Sequence, residues 1–297
     1  MSASAAVAVS VATVWADPEA VRPVDAPALG IPADPGGWVT AMSHRDKLDL
    51  QGRAETQVLY GDAVTILEER AGWTQVVVPS QCSGRDLRGY PGWLPAAHLT
   101  EPLSARGERV VVDCRLTRLY ADPKLDATSV ELSFGTVLPV TDRAGGWVQV
   151  RTPAARLGWF PESDVAAADG GSRVTGAELL ATAAGFLGLP YLWAGVSAYG
   201  FDCSGLVHAV HRRHGVAIPR DADDQARAGE SVSPDAVEPG DLLFFAYDRG
   251  RGDVHHVAMY AGNATMLHAP ATGRTVEIIP IETRHYAEEL CAARRYR

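Results

Sequence analysis

A cysteine between an aspartate and an apolar helical run is the first place where residue types in this sequence indicate chemistry. Asp202 is a typical N-cap residue, which places Cys203 in the first turn of a helix that ends near Gly215. The positive end of the helix dipole favours a thiolate over a thiol. We therefore expect Cys203 to be an activated nucleophile, provided that a base lies nearby.

Two histidines downstream have the spacing of a base and its orienting partner. The run from His255 to Tyr260 alternates like a strand, turns at residues 261–263 and returns to His268, which predicts a hairpin. His256 and His268 then face the same side, so one imidazole can pair with the cysteine while the other orients it. His255 competes for the role of base, but strand alternation turns it to the opposite face.

Other arrangements of histidine and cysteine indicate a metal less well. His208, His211 and His214 recur every three residues on one predicted helix, without a carboxylate or cysteine at matching spacing. We expect a solvated helix face there. A zinc ion shared by the cysteine and the two hairpin histidines is an alternative that the Ser-Gly sequence after the cysteine does not favour. We therefore expect no metal and no cofactor.

The elements that must position these residues form a C-terminal unit of α+β type. A run of small residues after Val165 indicates a linker. Thr175 and Glu178 then have the spacing of a capping box, ahead of apolar residues at helical intervals. The pattern continues as a second helix and several strands, and we place this domain at residues 172–297.

The N-terminal part contains an internal repeat. Gly61 precedes Trp73 by twelve residues, as Gly135 precedes Trp147, and each tryptophan opens a strand-like run that leads to a second turn and tryptophan. Short strands between Gly/Pro turns predict two copies of a small β-barrel. The four repeated tryptophans are expected in the barrel cores: Trp73, Trp93, Trp147 and Trp159.

The two barrels are expected at residues 1–104 and 105–167. Residues 5–15 look like the first strand of copy one, which a helical insertion at about 35–52 separates from the rest. The same N-terminal stretch could be interpreted as a secretion signal. It lacks a positively charged start, however, and its removal would delete a strand, so we favour the strand.

Composition and charge exclude several classes of protein. The 297 residues carry a net charge of −9, which argues against nucleic acid or an anionic membrane as the main partner. The sequence has no apolar stretch of the roughly 18 to 20 residues that a membrane span needs. Its four cysteines lie far apart and are expected to be mostly free. We expect a cytoplasmic monomer, with a secreted or wall-associated protein as the alternative.

The segments Asp-Cys-Ser-Gly-Leu, His-Val-Ala-Met-Tyr-Ala-Gly and His-Ala-Pro together resemble the NlpC family of papain-like cysteine peptidases, which cleave bacterial cell-wall peptides. The resemblance implies Cys203 as nucleophile, with its backbone N–H in the oxyanion hole. It implies His256 as general base and acid, and His268 as the orienting residue. Residues 189–195 resemble the segment that approaches the cysteine, with Ala194 where glycine is usual.

The whole arrangement, two small SH3-like β-barrels followed by an α+β papain-like cysteine peptidase domain, is similar to the dipeptidyl-peptidase VI group of that family. The group consists of γ-D-glutamyl-L-diamino-acid endopeptidases of murein-peptide turnover. The similarity implies that Glu55 and Tyr90 of the first barrel bind the free α-amine of a leading L-Ala. It also implies that Tyr191, Asp202 and Ser204 contact the D-glutamyl unit.

The expected activity is therefore hydrolysis of the γ-D-glutamyl–diamino acid bond in free murein peptides with an unblocked N-terminal L-Ala. One alternative is a secreted D,L-endopeptidase acting on intact peptidoglycan, with the SH3-like domains as anchors. Another is a non-catalytic wall-peptide-binding protein. Without the resemblance, Glu55 would be interpreted as a surface charge and Tyr90 as a packing residue. Ala222 stands where relatives often have serine, which removes one polar contact with the substrate.

Overall fold

Valine-rich segments and short turns build the first barrel of this computed structural model, which describes residues 3–103, 107–123, 127–168, 173–283 and 285–297. The strands are β1 (Ser4–Val7), β2 (Val11–Trp15), β3 (Ala54–Leu59), β4 (Ala63–Arg70), β5 (Trp73–Val78), β6 (Tyr90–Pro95) and β7 (Leu99–Thr100). They lie in the order β3-β2-β6-β5-β4-β1-β7. Alternate side chains face inward, so Val14, Val58 and Val76 share one buried core.

The N-terminal segment contains two strands, where the sequence predicted one. A bend at residues 8–10 separates β1 from β2. The bend lets β1 pair with β4 while β2 pairs with β3 and β6. A single straight strand could not serve both sides of a small closed barrel, because closure requires the chain to turn a corner.

The inserted helical segment begins earlier than predicted. It starts with 3₁₀ turns at Pro18–Ala20 and Pro23–Asp25 and continues as α1 (Ala26–Leu29), α2 (Pro35–Ala41) and α3 (His44–Leu48). Trp38 of α2 donates its indole N–H to Asp25 over 2.9 Å. Its ring packs in a cluster with Leu192 and Ala194 of the C-terminal domain. The insertion therefore supports the segment that approaches Cys203.

The second barrel repeats the first strand by strand. Its strands are β8 (Arg109–Val112), β9 (Leu116–Asp122), β10 (Ala127–Ser133), β11 (Val137–Ala144), β12 (Trp147–Arg151), β13 (Leu157–Pro161) and β14 (Val165–Ala167). Their order, β10-β9-β13-β12-β11-β8-β14, is that of the first barrel with seven added to each number. The predicted repeat is confirmed. The predicted domain limits at residues 104, 105 and 172 lie outside the described residues.

The repeated tryptophans are less buried than predicted. Trp93 is buried under the Arg70 side chain, on the face of β6 opposite the core residue Leu94, and Trp73, Trp147 and Trp159 are only half-buried. Trp73 and Trp147 are the first residues of their strands, where the barrel wall ends and one side of the indole meets water.

The C-terminal domain is α+β, as predicted. Its helices are α4 (Gly176–Ala184), α5 (Cys203–Arg213), α6 (Ala222–Arg227) and α7 (Tyr286–Glu289). Its strands are β15 (Val196–Ser197), β16 (Gly200–Phe201), β17 (Glu230–Ser231), β18 (Leu242–Ala246), β19 (Val254–Gly262), β20 (Thr265–His268), β21 (Glu277–Pro280) and β22 (Leu290–Arg295). The six-stranded sheet has the order β17-β22-β18-β19-β20-β21, and α5 packs against β19. The predicted capping box of Thr175 and Glu178 begins α4.

Two of the three histidines, His208 and His211, are buried and the third, His214, is half-buried, which corrects the expectation of a solvated face. His208 and His211 of α5 are 3% and 0% exposed. His208 Nδ1 lies 3.1 Å from the Ile218 carbonyl, and His211 Nδ1 lies 2.7 Å from the Val207 carbonyl. The period of three follows the face of α5 that packs against the domain core, so these residues are structural. Within the described ranges, none of the helices combines the length and the apolar character that crossing a bilayer requires.

Candidate active site

Cys203 is the first residue of α5, where the sequence placed it. The Asp202 side chain caps the helix by accepting a hydrogen bond from the Gly205 N–H over 2.6 Å. A Cβ atom at Gly205 would lie only 2.0 Å from the Gly195 carbonyl oxygen. This glycine therefore permits the close approach between the start of α5 and the segment before it. Ala194 of that segment has φ +65°, in the left-handed region that favours glycine.

Burial outweighs the helix dipole at the cysteine. Burial, and to a smaller extent the Asp202 carboxylate, raises the pKa of the Cys203 thiol to about 12. Backbone N–H groups of Val257 and Ser204 act in the opposite direction. Burial therefore opposes the thiolate that the helix dipole favours, because a buried site penalises the charged form. The thiol needs a base to lose its proton.

The hairpin histidines meet as predicted. β19 and β20 pair antiparallel, and His256 Nε2 lies 2.8 Å from His268 Nδ1. Both side chains are buried, and burial followed by the neighbouring His268 holds the pKa of His256 well below its usual value. Val257, whose N–H is directed to the Cys203 sulfur, directly follows His256. The structure thus brings the cysteine, the base candidate and its partner into one cluster, in which both histidines are buried and the cysteine is partly exposed.

His255 lies on the other side of β19. Its Nε2 is 3.0 Å from Glu289 Oε2, and its ring stacks on Tyr247 at 4.2 Å. Strand alternation therefore separates the two neighbouring histidines, as expected. The sequence left His255 as an alternative base, but only His256 contacts His268.

A fully buried arginine holds the polar groups at the start of α5. It was not among the candidates predicted from the sequence. Arg220 is 1% exposed and donates to both carboxylate oxygens of Asp202, at 2.7 and 3.1 Å. It also donates to Ser204 Oγ over 2.9 Å and to Thr56 Oγ1 of the first barrel over 2.9 Å. The only local signal was its place beside Asp221 in a Pro-Arg-Asp sequence, because its partners are distant in the chain.

Tyr191 lies close to the cysteine. It is 8% exposed, and its backbone N–H donates to the Arg274 carbonyl over 2.9 Å. Burial, and then the proximity of Cys203, raises the pKa of its phenol. A neutral hydroxyl is thus available beside the thiol.

The first barrel contacts the residue that follows Arg220. Tyr90, at the start of β6, donates its phenolic O–H to Asp221 Oδ2 over 2.9 Å, and burial raises the pKa of Tyr90. Glu55 of β3 lies beside it, where Arg85 donates to both carboxylate oxygens of Glu55. The Arg85 guanidinium also lies 5.5 Å from the centre of the Tyr90 ring. The sequence identified Glu55 and Tyr90 but not Arg85, which belongs to the loop between β5 and β6.

One group of side chains in the described part of the chain has spacing suitable for a metal ion: Asp221, Asp223 and Asp224. Asp221 accepts from Tyr90, while Asp223 and Asp224 pair with Arg227 at the molecular surface. These contacts account for the three carboxylates without an ion.

Each domain of the chain, and the chain as a whole, is similar to known proteins. Residues 188–295 match the model of the NlpC/P60 family, residues 44–99 that of the bacterial dipeptidyl-peptidase Sh3 domain, and residues 112–167 that of the YKFC SH3b2 domain. A γ-D-glutamyl-L-lysine dipeptidyl-peptidase of Bacillus cereus is 39% identical over 97% of this chain and 89% of its own length. The chain belongs to the NlpC/P60 family.

Further similarities of this NlpC/P60 peptidase also extend over the whole chain. A γ-D-glutamyl-L-lysine dipeptidyl-peptidase of Bacillus subtilis is 39% identical over 96% of each chain. A crystal structure of an NlpC/P60 family protein from Bacillus cereus has a TM-score of 0.95 and 38% identity, and covers 99% of each chain. The predicted family, with two SH3-like domains before a cysteine peptidase domain, is confirmed.

Proposed function

We propose that this NlpC/P60 peptidase hydrolyses the γ-D-glutamyl–diamino acid bond of free murein peptides whose N-terminal L-Ala carries an unblocked amine. The activity named for the two Bacillus relatives supports the type of bond. The restriction to a free amine is supported by a single observation. The first barrel presents a carboxylate that already holds a cation against an aromatic ring.

That observation concerns Glu55, Arg85 and Tyr90. Glu55 is 18% exposed in its side chain and is paired with the Arg85 guanidinium, which lies over Tyr90. A carboxylate beside an aromatic face is a favourable environment for an ammonium group. The α-ammonium of L-Ala would take the place of the guanidinium when the peptide binds. A peptide still joined to the glycan has an amide there, which offers Glu55 no positive charge in exchange for the guanidinium.

The catalytic residues would act as nucleophile, base and orienting group. Burial raises the pKa of the Cys203 thiol and lowers that of the His256 imidazole, which favours the neutral form of each group before the substrate binds. His256 takes the thiol proton as the sulfur attacks the γ-carbonyl of D-Glu, and the S–C bond forms. The amide C–N bond then breaks, and His256 passes the proton to the departing amine. Water hydrolyses the thioester, which releases L-Ala-γ-D-Glu and restores the thiol.

The glutamyl unit would be positioned by the polar groups around the start of α5. The backbone N–H of Cys203 is the expected oxyanion donor. Tyr191, Asp202 and Ser204 stand beside it, and Arg220 holds the latter two in place. The buried arginine fixes these acceptors before substrate arrives, so little reorganisation is needed on binding.

The test is cleavage of L-Ala-γ-D-Glu-diaminopimelate beside its N-acetylated form, with the products identified by mass spectrometry. We expect cleavage after D-Glu in the free peptide, with kcat/KM at least about 100-fold lower for the acetylated one. Equal rates would remove the amine requirement and favour a hydrolase of intact wall. Cleavage of neither peptide would contradict the proposal as a whole.

A further inference from the structure

A glutamate lies behind the orienting histidine, on the side away from His256. Glu277 of β21 is the cross-strand partner of His268 in β20. Its Oε1 lies 3.3 Å from His268 Nε2, while His268 Nδ1 lies 2.8 Å from His256 Nε2. The three side chains therefore form a chain of contacts from His256, the base, through His268 to the carboxylate of Glu277.

The carboxylate determines which ring nitrogens of the two histidines carry a proton, because a carboxylate only accepts hydrogen bonds. The nitrogen of His268 that faces Glu277 is favoured as N–H, which leaves Nδ1 of the neutral ring as an acceptor. Nδ1 then receives the proton of His256 Nε2. The His256 tautomer that results has its lone pair on Nδ1, the only ring nitrogen still able to take a proton from the thiol. One carboxylate thus selects the tautomers of both histidines.

The carboxylate is itself held in position. Arg274 Nη2 lies 2.6 Å from Glu277 Oε1 and 2.7 Å from Oε2. His268 is 1% exposed, whereas the Glu277 side chain is 23% exposed. The negative charge is thus placed at the edge of the buried histidine pair, where it stays partly hydrated while it acts on the interior.

We propose that Glu277 is a positioning residue for catalysis, which acts through His268 to hold His256 in the tautomer that accepts the Cys203 proton. The inference rests on the proposed function, since it extends the catalytic set from three residues to four. It also predicts that the negative charge favours the protonated histidine pair, and hence the thiolate that forms when His256 takes the proton.

Among the residues that the structure describes, the charged and titratable groups around this pair come from four elements. They are His255 and His256 of β19, Cys203 of α5, Arg274 and Glu277 at the start of β21, and His285 and Tyr286 around the start of α7. Tyr286 packs its ring 5.4 Å from that of His268 and 5.6 Å from that of His256. Glu277 is the carboxylate of this group that contacts His268.

The test compares wild type, Glu277→Gln and the matched control Glu282→Gln, which changes an exposed glutamate nearby. We expect Glu277→Gln to lower kcat for the free tripeptide by about 10- to 100-fold, with KM within about twofold. A second readout needs no substrate. The rate of Cys203 alkylation by iodoacetamide is followed against pH by mass spectrometry of the Cys203 peptide, which separates it from the other cysteines.

The alkylation midpoint of Glu277→Gln should rise by about one pH unit, because the thiolate loses part of its partner's positive charge. Glu282→Gln should behave as wild type. An unchanged kcat and midpoint would overturn the role of Glu277. So would a fall in kcat that comes with a lower melting temperature and an unchanged midpoint, which indicates a purely structural residue. If wild type cleaves no peptide, the proposed function fails, but the alkylation midpoint still decides the role of Glu277.

Discussion

The two barrels have the same strand order, but they make different contacts with the peptidase domain. The first barrel reaches the start of α5 through Thr56 and Arg220, and its last turn through Asp62 and Arg212. The second barrel pairs with the last turn through Asp113 and Arg213. Ten residues of helix place the two ends about 15 Å apart. The contact of the first barrel with Arg220 leads directly to Asp202, the residue before Cys203.

The difference arises from what was added to the common fold. The first barrel carries the helical insertion, which packs on the segment before Cys203, and a longer loop between β5 and β6, which carries Arg85. The second barrel instead uses Arg115, which donates to the carbonyls of Gly185 and Leu187 after α4. A strand order shared by two domains thus predicts their shape but not their role.

The largest effect is expected at Cys203, near the groups that the first barrel contacts. Cys203→Ala should lower kcat by about 10⁴-fold or more, because no other group supplies the nucleophile. The control is Cys114→Ala in the second barrel, which should keep wild-type kcat. Residual turnover above about 1% in Cys203→Ala, measured with the free tripeptide, would remove the thiol mechanism.

Arg220 and Arg213 each join the region of α5 to one of the barrels. Replacing them should lower the free energy of unfolding by very different amounts. Arg220→Met leaves the buried Asp202 carboxylate without a cation and should lower the free energy of unfolding by about 3–5 kcal/mol. Arg213→Met breaks a pair whose Asp113 partner is 40% exposed, and should cost about 0–1 kcal/mol. Urea unfolding measures both. Equal losses would show that the two barrels are anchored alike.

Substrate selection should depend on the first barrel alone. Glu55→Gln should reduce kcat/KM for the free tripeptide by about 10- to 100-fold, since it removes the charge that faces the ammonium. The matched control is Glu131→Gln on β10, the equivalent strand of the second barrel, where the carboxylate accepts from Tyr199. The N-acetylated peptide should be indifferent to both variants. An equal fall for both peptides in Glu55→Gln would assign that residue a structural role instead.

The smallest effect is expected at Arg85, in the loop between β5 and β6, which is longer than the equivalent loop of the second barrel. Arg85→Ala removes the guanidinium that occupies Glu55, so the peptide ammonium no longer competes with it. We expect a roughly 3- to 10-fold lower KM for the free tripeptide with little change in kcat, a size that fits a pair whose arginine is 47% exposed. A higher KM would mean that Arg85 itself binds the substrate.

Much of the fold and of the site could be predicted because the signals are local. The helix cap at Asp202, the capping box at Thr175 and the hairpin between His256 and His268 each depend on residues at most twelve positions apart. The barrel repeat was equally visible, since both copies preserve the spacing of glycine and tryptophan. Where the prediction failed, as for the buried His208 and His211, the sequence pattern showed a helix face but not what packs against it.

By itself, the sequence determined the order of the domains, the cysteine at a helix start and the pair of histidines on one hairpin, because helix caps and strand alternation act over short stretches. Only the tertiary structure decided the rest. It buried Arg220 between Asp202 and Thr56, residues 18 and 164 positions away, and paired Arg85 with Glu55 across a barrel. It also raised the pKa of the Cys203 thiol. Desolvation and long-range ion pairs depend on what surrounds a group in space, and neighbours along the chain do not specify that.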